Sequence, residues 1–181
     1  MNWFRITVLL LFFSQTNTIY SQLNNIIPTP KEQTIKNGFM LIENNPEIIT
    51  NDKFKSASTL LKNAINELNL DNDEKPKNRI KFSYNKKLDN EEYILRINSN
   101  LITISASTEN GAIFGFQSLN QLINLNLNNG VIKLKNQEIK DSPRFKYRGM
   151  HLDVGRHMYP VDFIKKYIDG LAMLKFNNFH W

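Results

Sequence analysis

The stretch Ser142-Pro-Arg-Phe-Lys-Tyr-Arg-Gly-Met-His-Leu-Asp-Val-Gly-Arg-His-Met-Tyr-Pro-Val161 decides how this chain is read. Ser142-Pro143 marks a boundary, because proline disfavours helix in the residue before it. Across residues 148–154 the side chains alternate, with Met150, Leu152 and Val154 on one side and His151 and Asp153 on the other. Period-two alternation predicts a strand with one apolar face. Residues 155–159 read as a loop. Pro160 suits the first turn of a helix, and Ile164, Tyr167, Ile168 and Leu171 continue it at helical spacing, with Lys165 and Lys166 outward. Residues 176–181 are extended again. Strand, helix and strand within about 40 residues make one βαβ unit.

Upstream the pattern is different. Pro28 and Pro30 make residues 23–30 an extended lead-in. Residues 39–42 are a short apolar run after the turn signal Asn37-Gly38, and predict a strand. Ala57, Leu60, Leu61, Ala64, Ile65 and Leu68 form the stripe of an amphipathic helix. Residues 71–77 are charged, carry Pro76 and read as a loop. Residues 80–84 predict a strand, and 93–97 with 101–105 a hairpin through Asn98-Ser99-Asn100. A second helix is expected from Glu109 to Asn124, with Thr108 as N-cap and Glu109 near the positive end of the helix dipole. Gly111 and Gly115 lack the strand-to-Gly-turn context of a phosphate loop, so close packing of this helix on a sheet is their expected use. Residues 131–134 supply another strand. Residues 22–141 therefore predict an α+β layer of domain size, and residues 142–181 the beginning of something else.

Composition narrows the classes. The 181 residues are 41% hydrophobic and 22% charged, and contain no cysteine. That apolar fraction argues against disorder. Without cysteine there is no disulfide framework, no thiolate zinc site and no lipid-modified N-terminal cysteine. The formal charge of +6 is scattered rather than concentrated, so no nucleic-acid partner is expected. Residues 1–21 read as an export leader: Arg5 precedes the apolar core at 6–13, and small Ser21 gives a cleavage point before Gln22. That core is far shorter than the roughly 20 residues of a spanning helix. The expectation is an exported protein, periplasmic or extracellular, with no stable membrane insertion after cleavage.

Asp153, Arg156 and His157 stand where the predicted strand runs into its loop, the end at which βα architectures carry their binding groups. The guanidinium is a planar donor fork suited to adjacent hydroxyls or a carboxylate, and Asp153 could hold it in place. A structural Asp–Arg ion pair beside a packed histidine explains the same spacing. His151, His157 and His180 form no metal signature, and no nucleophile elbow is present. Among carboxylates, Glu91 and Glu92 should point to opposite faces of a strand, the 71–74 cluster is a solvated loop, and Asp162 and Asp169 fall on the helix. No catalytic carboxylate pair is in view.

Residues 142–161, followed by Lys175-Phe-Asn-Asn-Phe-His-Trp181, closely resemble the start of the catalytic barrel in glycoside hydrolase family 20, the β-N-acetylhexosaminidases. Ile27-Pro-Thr-Pro-Lys31 resembles the entry to the family's small α+β domain, and Gly111-Ala-Ile-Phe-Gly115-Phe-Gln-Ser-Leu its last helix. The resemblance implies an α+β N-terminal domain followed by the first β-α-β of a (β/α)8 TIM barrel, truncated at Trp181. It also implies retaining hydrolysis of terminal β-linked N-acetylglucosamine or N-acetylgalactosamine, in which the substrate's own acetamido oxygen attacks the anomeric carbon. The family's matching arginine implies that Arg156 contacts hydroxyls of the terminal sugar, with Asp153 and His157 in support. The Asp-Glu pair that orients the acetamido group and acts as general acid and base is expected beyond Trp181, and neither metal nor organic cofactor is expected. An N-terminal piece of a longer enzyme, inactive by itself, is the resulting expectation. A non-catalytic carbohydrate-binding or interaction module is the alternative, and the oligomeric state is open.

Overall fold

The computed structural model describes residues 26–70 and 75–181. The expected export leader at 1–21 and the charged cluster at 71–74 lie outside the described residues. The strands are β1 (Glu32–Ile42), β2 (Glu47–Ile49), β3 (Arg79–Tyr84), β4 (Tyr93–Ile97), β5 (Leu101–Ala106), β6 (Leu127–Asn128), β7 (Val131–Asp141), β8 (Gly149–His151) and β9 (Asn178–His180). The helices are α1 (Lys55–Glu67), α2 (Glu109–Asn126) and α3 (Val161–Met173). One mixed sheet runs in the order β1-β7-β4-β5-β3-β2, with β6 added along β7. A separate parallel pair, β8 with β9, is joined through α3. Among the described residues no helix is long and apolar enough to cross a membrane.

Alternation drives the sheet. Tyr93, Leu95 and Ile97 of β4 and Ile102 and Ile104 of β5 turn to one face and are buried, where Ala57, Leu61 and Ile65 of α1 and Leu119 and Ile123 of α2 complete the core. The predicted hairpin and both helices are present. Thr108 caps α2, its hydroxyl accepting from the Gly111 N–H at 3.2 Å. Gly115 has the packing role expected of it: a Cβ there would stand 2.6 Å from Ile104 Cγ2. Glu109 does more than face a dipole. Its Oε1 accepts from the Ala57 N–H at 2.7 Å, capping α1, whose own N-cap, Phe54, supplies no side-chain bond.

Several boundaries differ from the sequence reading. β1 begins at Glu32, not Phe39, and β7 continues to Asp141, not Leu134. Asn37-Gly38 is a bulge inside β1, where the register against β7 shifts between Ile35 and Phe39. Gly38 sits at φ +93° with Asn136 Nδ2 only 2.7 Å from where a Cβ would be, and the Asn136 amide donates to the Asn37 carbonyl at 2.9 Å. The bulge lets β7 bury Ile132 and Leu134 on one side of it and Gln137 and Ile139 on the other, which breaks the period-two signal. β2 was too short to register as a pattern. β8 covers three residues instead of the seven expected, with the Leu152 N–H to His180 carbonyl bond extending the pairing by one step. Pro160 is the N-cap of α3 and not its first turn.

Candidate functional site

At the end of β8 the backbone folds around one carboxylate. Asp153 Oδ1 accepts from the N–H groups of Gly155 at 3.0 Å and Arg156 at 3.1 Å. Its other oxygen accepts from Arg156 Nε at 2.5 Å. A short polar side chain that bonds its own backbone two and three residues on stabilises a tight turn. The Arg156 guanidinium beside Asp153, helped by the two backbone donors, holds its carboxyl below the usual aspartate range. Arg156 itself is 89% exposed. Its two Nη groups make no hydrogen bond among the described residues, so one edge of the fork is anchored and the other is presented to solvent.

The structure thus joins Asp153 to Arg156 and leaves His157 apart. His157 is exposed and meets Tyr159 edge-on, ring centres 4.6 Å apart, and no hydrogen bond links it to either partner among the described residues. His151 and His180, paired across β8 and β9, stand 4.6 Å apart. Among the described residues no three His, Cys, Asp or Glu groups cluster as metal ligands. Glu91 and Glu92 precede β4 rather than lying in it, and they diverge: Glu92 accepts from the Asp89 N–H at 2.9 Å, while Glu91 grips Arg148.

That second contact belongs to a polar junction not foreseen from the sequence. Arg148 donates to both Glu91 oxygens, at 2.8 and 3.2 Å. Lys175 donates to Asp141 at 2.9 Å and to the Tyr93 hydroxyl at 2.9 Å, and that hydroxyl shares a 2.6 Å bond with Ser118. Burial, then the Asp141 charge, pushes the Tyr93 phenol well above its ordinary value. Burial pulls the Lys175 ammonium down, against the opposing pull of Asp141. A cavity of about 220 Å³ lies here, lined by Phe114, Pro143, Phe145 and Leu174 beside these charges. Asp153, Arg156 and His157 do not line it. The bonded partners of this junction lie 25 or more positions apart in the chain, and no local spacing announces them.

The chain matches glycosyl hydrolase family 20, domain 2, over residues 23–142, and glycosyl hydrolase family 20, catalytic domain, over residues 145–181. It is 33% identical over 176 residues to a beta-hexosaminidase of Porphyromonas gingivalis, covering 90% of this chain and 23% of that protein. With a beta-hexosaminidase of Vibrio furnissii it shares 40% identity over 97 residues, 54% of this chain and 16% of that one. Among solved structures it is similar to the family 20 exo beta-N-acetylglucosaminidase of Vibrio harveyi in complex with N-acetylglucosamine. There the TM-score is 0.77 and the identity 28%, over 87% of this chain and 25% of that chain. For the beta-N-acetylhexosaminidase of Bacteroides fragilis the values are 0.74 and 30%, over 87% and 33%. The chain spans a quarter or less of the length of these two curated relatives. With two successive family matches running almost from end to end, on a sheet layer followed by a strand–helix–strand unit, this chain belongs to glycosyl hydrolase family 20.

Proposed function

We propose that this chain is the N-terminal part of an exported, retaining exo-β-N-acetylhexosaminidase that removes terminal, non-reducing β-linked N-acetylglucosamine or N-acetylgalactosamine. In this reading residues 22–141 are the small α+β domain, and β8–α3–β9 is the first βαβ of a (β/α)8 barrel, whose binding groups belong at the strand ends. The observation that carries the reading is the Asp153–Arg156 arrangement at the end of β8. Asp153 fixes the guanidinium through Nε and the turn through two backbone N–H groups. The free edge of the fork then donates to adjacent hydroxyls of the terminal sugar. The chemistry is substrate-assisted: the 2-acetamido oxygen attacks the anomeric carbon while a carboxylic acid protonates the leaving oxygen. The Asp-Glu pair that supplies these carboxyl groups is expected outside residues 22–181, so residues 22–181 alone should be inactive.

Hydrolysis of an aryl N-acetylglucosaminide by the longer enzyme tests the assignment. Arg156→Ala removes charge-assisted bonds to substrate and should lower kcat/KM about 100-fold. Arg156→Lys keeps the charge, loses the fork and should recover little. An unchanged kcat/KM in Arg156→Ala would remove Arg156 from the sugar site. Turnover by purified residues 22–181 would sink the claim that this part is inactive alone.

A further inference from the structure

Helix α3 ends in a conformation that its sequence does not favour. Past Leu174, Lys175 turns to φ +62°. The Lys175 N–H bonds the Ala172 carbonyl at 3.0 Å and the Phe176 N–H bonds the Leu171 carbonyl at 2.9 Å. This paired-bond ending normally places glycine at the left-handed position, because any Cβ is strained there. Here the position holds a lysine, and one only 6% exposed. Two unfavourable choices coincide, a side chain where none fits easily and an ammonium withdrawn from water. Such a combination persists where the surroundings require it.

The surroundings name the requirement. The ammonium seats between Asp141 and Tyr93, which face each other across β7 and β4. The Lys175 carbonyl accepts from Arg148 Nε at 2.8 Å. The Arg148 carbonyl in turn accepts from the N–H groups of Asn177 and Asn178, at 3.0 and 3.1 Å. We propose that Lys175 is a docking pin, by which the sheet domain dictates where β9 begins beside β8. Glu91, holding Arg148, is the second point of the same attachment. The pin rests on contacts within this chain and does not depend on the hydrolytic reading.

Replacing the pin with glycine separates the alternatives by sign. If Lys175 merely ended α3, Lys175→Gly would relieve the backbone and leave the Tm of the full chain equal or higher. The pin predicts a fall of about 8 °C, the cost of a broken buried pair less the relief of strain. Hydrogen exchange adds a local readout. In Lys175→Met the amides of Leu152, Asn177 and Asn178 should exchange about 100-fold faster, with those of β3 and β5 unchanged. Should either lysine variant fail to fold, Asp141→Asn removes the charge while keeping the acceptor for the Lys31 N–H. It should reproduce the local exchange, and Lys175→Met added to it should cost less than in the wild type. A Tm that holds or rises in Lys175→Gly, exchange that quickens uniformly, or additive single and double variants would each overturn the pin.

Discussion

In the sheet domain, Leu95, Ile97, Ile102 and Ile104 are fully buried against two helices. Across residues 142–181, Leu171 and Lys175 alone are buried, while Met158, Val161, Phe163, Ile168, Met173 and Trp181 are exposed. The sheet domain holds itself together by the non-directional burial of apolar area. The β8–α3–β9 unit is held at the start of its strands by directional polar bonds to Glu91, Asp141 and Tyr93. Gln121 of α2 adds one more, donating to the Met173 carbonyl at 3.1 Å. Apolar cores tolerate small displacements of their parts, whereas an ion pair at 2.9 Å fixes one geometry. The junction secures position more than burial.

The sheet domain is most vulnerable from inside its core. Ile104→Ala removes a side chain packed beneath α2 and should cost about 3 kcal/mol, read by urea unfolding. A smaller loss would mean that the sheet domain can collapse around the void. Glu91→Ala leaves Arg148, 15% exposed, without its carboxylate, for a loss of about 2 kcal/mol. Its damage should be local: trypsin should cut within residues 144–175 faster while the sheet domain stays intact. Uniform cleavage would show that the two regions unfold as one. Glu109→Ala takes the cap from α1 and should cost about 1 kcal/mol, all of it within the sheet domain. An unchanged midpoint would show that water satisfies the Ala57 N–H equally well.

The smallest effect belongs to the open face of the sheet. Arg96, hydrogen-bonded to Glu138 at 2.6 Å, holds that carboxyl below the usual glutamate range. A lowered folded-state pKa means stabilisation that is present above the unfolded value of 4.5 and lost as pH falls through the lower folded value. Arg96 is 41% exposed, so Glu138→Gln should cost no more than about 0.5 kcal/mol at neutral pH. The difference from wild type should vanish in acid, and one that persists there would point to shape rather than charge.

Elements with an uninterrupted period were legible before folding: the β4–β5 hairpin, both helices of the sheet domain, the Thr108 cap and the close approach at Gly115. β1 and β7 were half legible, because the bulge at Asn37-Gly38 shifts the phase of burial in its partner. The length of β8 was overstated for another reason. Met150 and Val154 satisfy the alternation, yet beyond Leu152 the Asp153 carboxylate bonds its own backbone, and the turn prevails over the strand.

The sequence alone sufficed for the helices and for the β4–β5 hairpin, and for bringing Asp153 and Arg156 within reach of each other, since three residues of a tight turn are enough to join them. It also carried the family resemblance, which lies in ordered motifs. It took the packed fold to make Glu109 the cap of α1, to bring Glu91 onto Arg148, and to place Lys175 in a glycine position within reach of Asp141. Each of those joins residues 34 or more positions apart. Local spacing constrains neighbours through a few backbone angles, whereas distant charges are brought together only when packing withdraws them from water side by side.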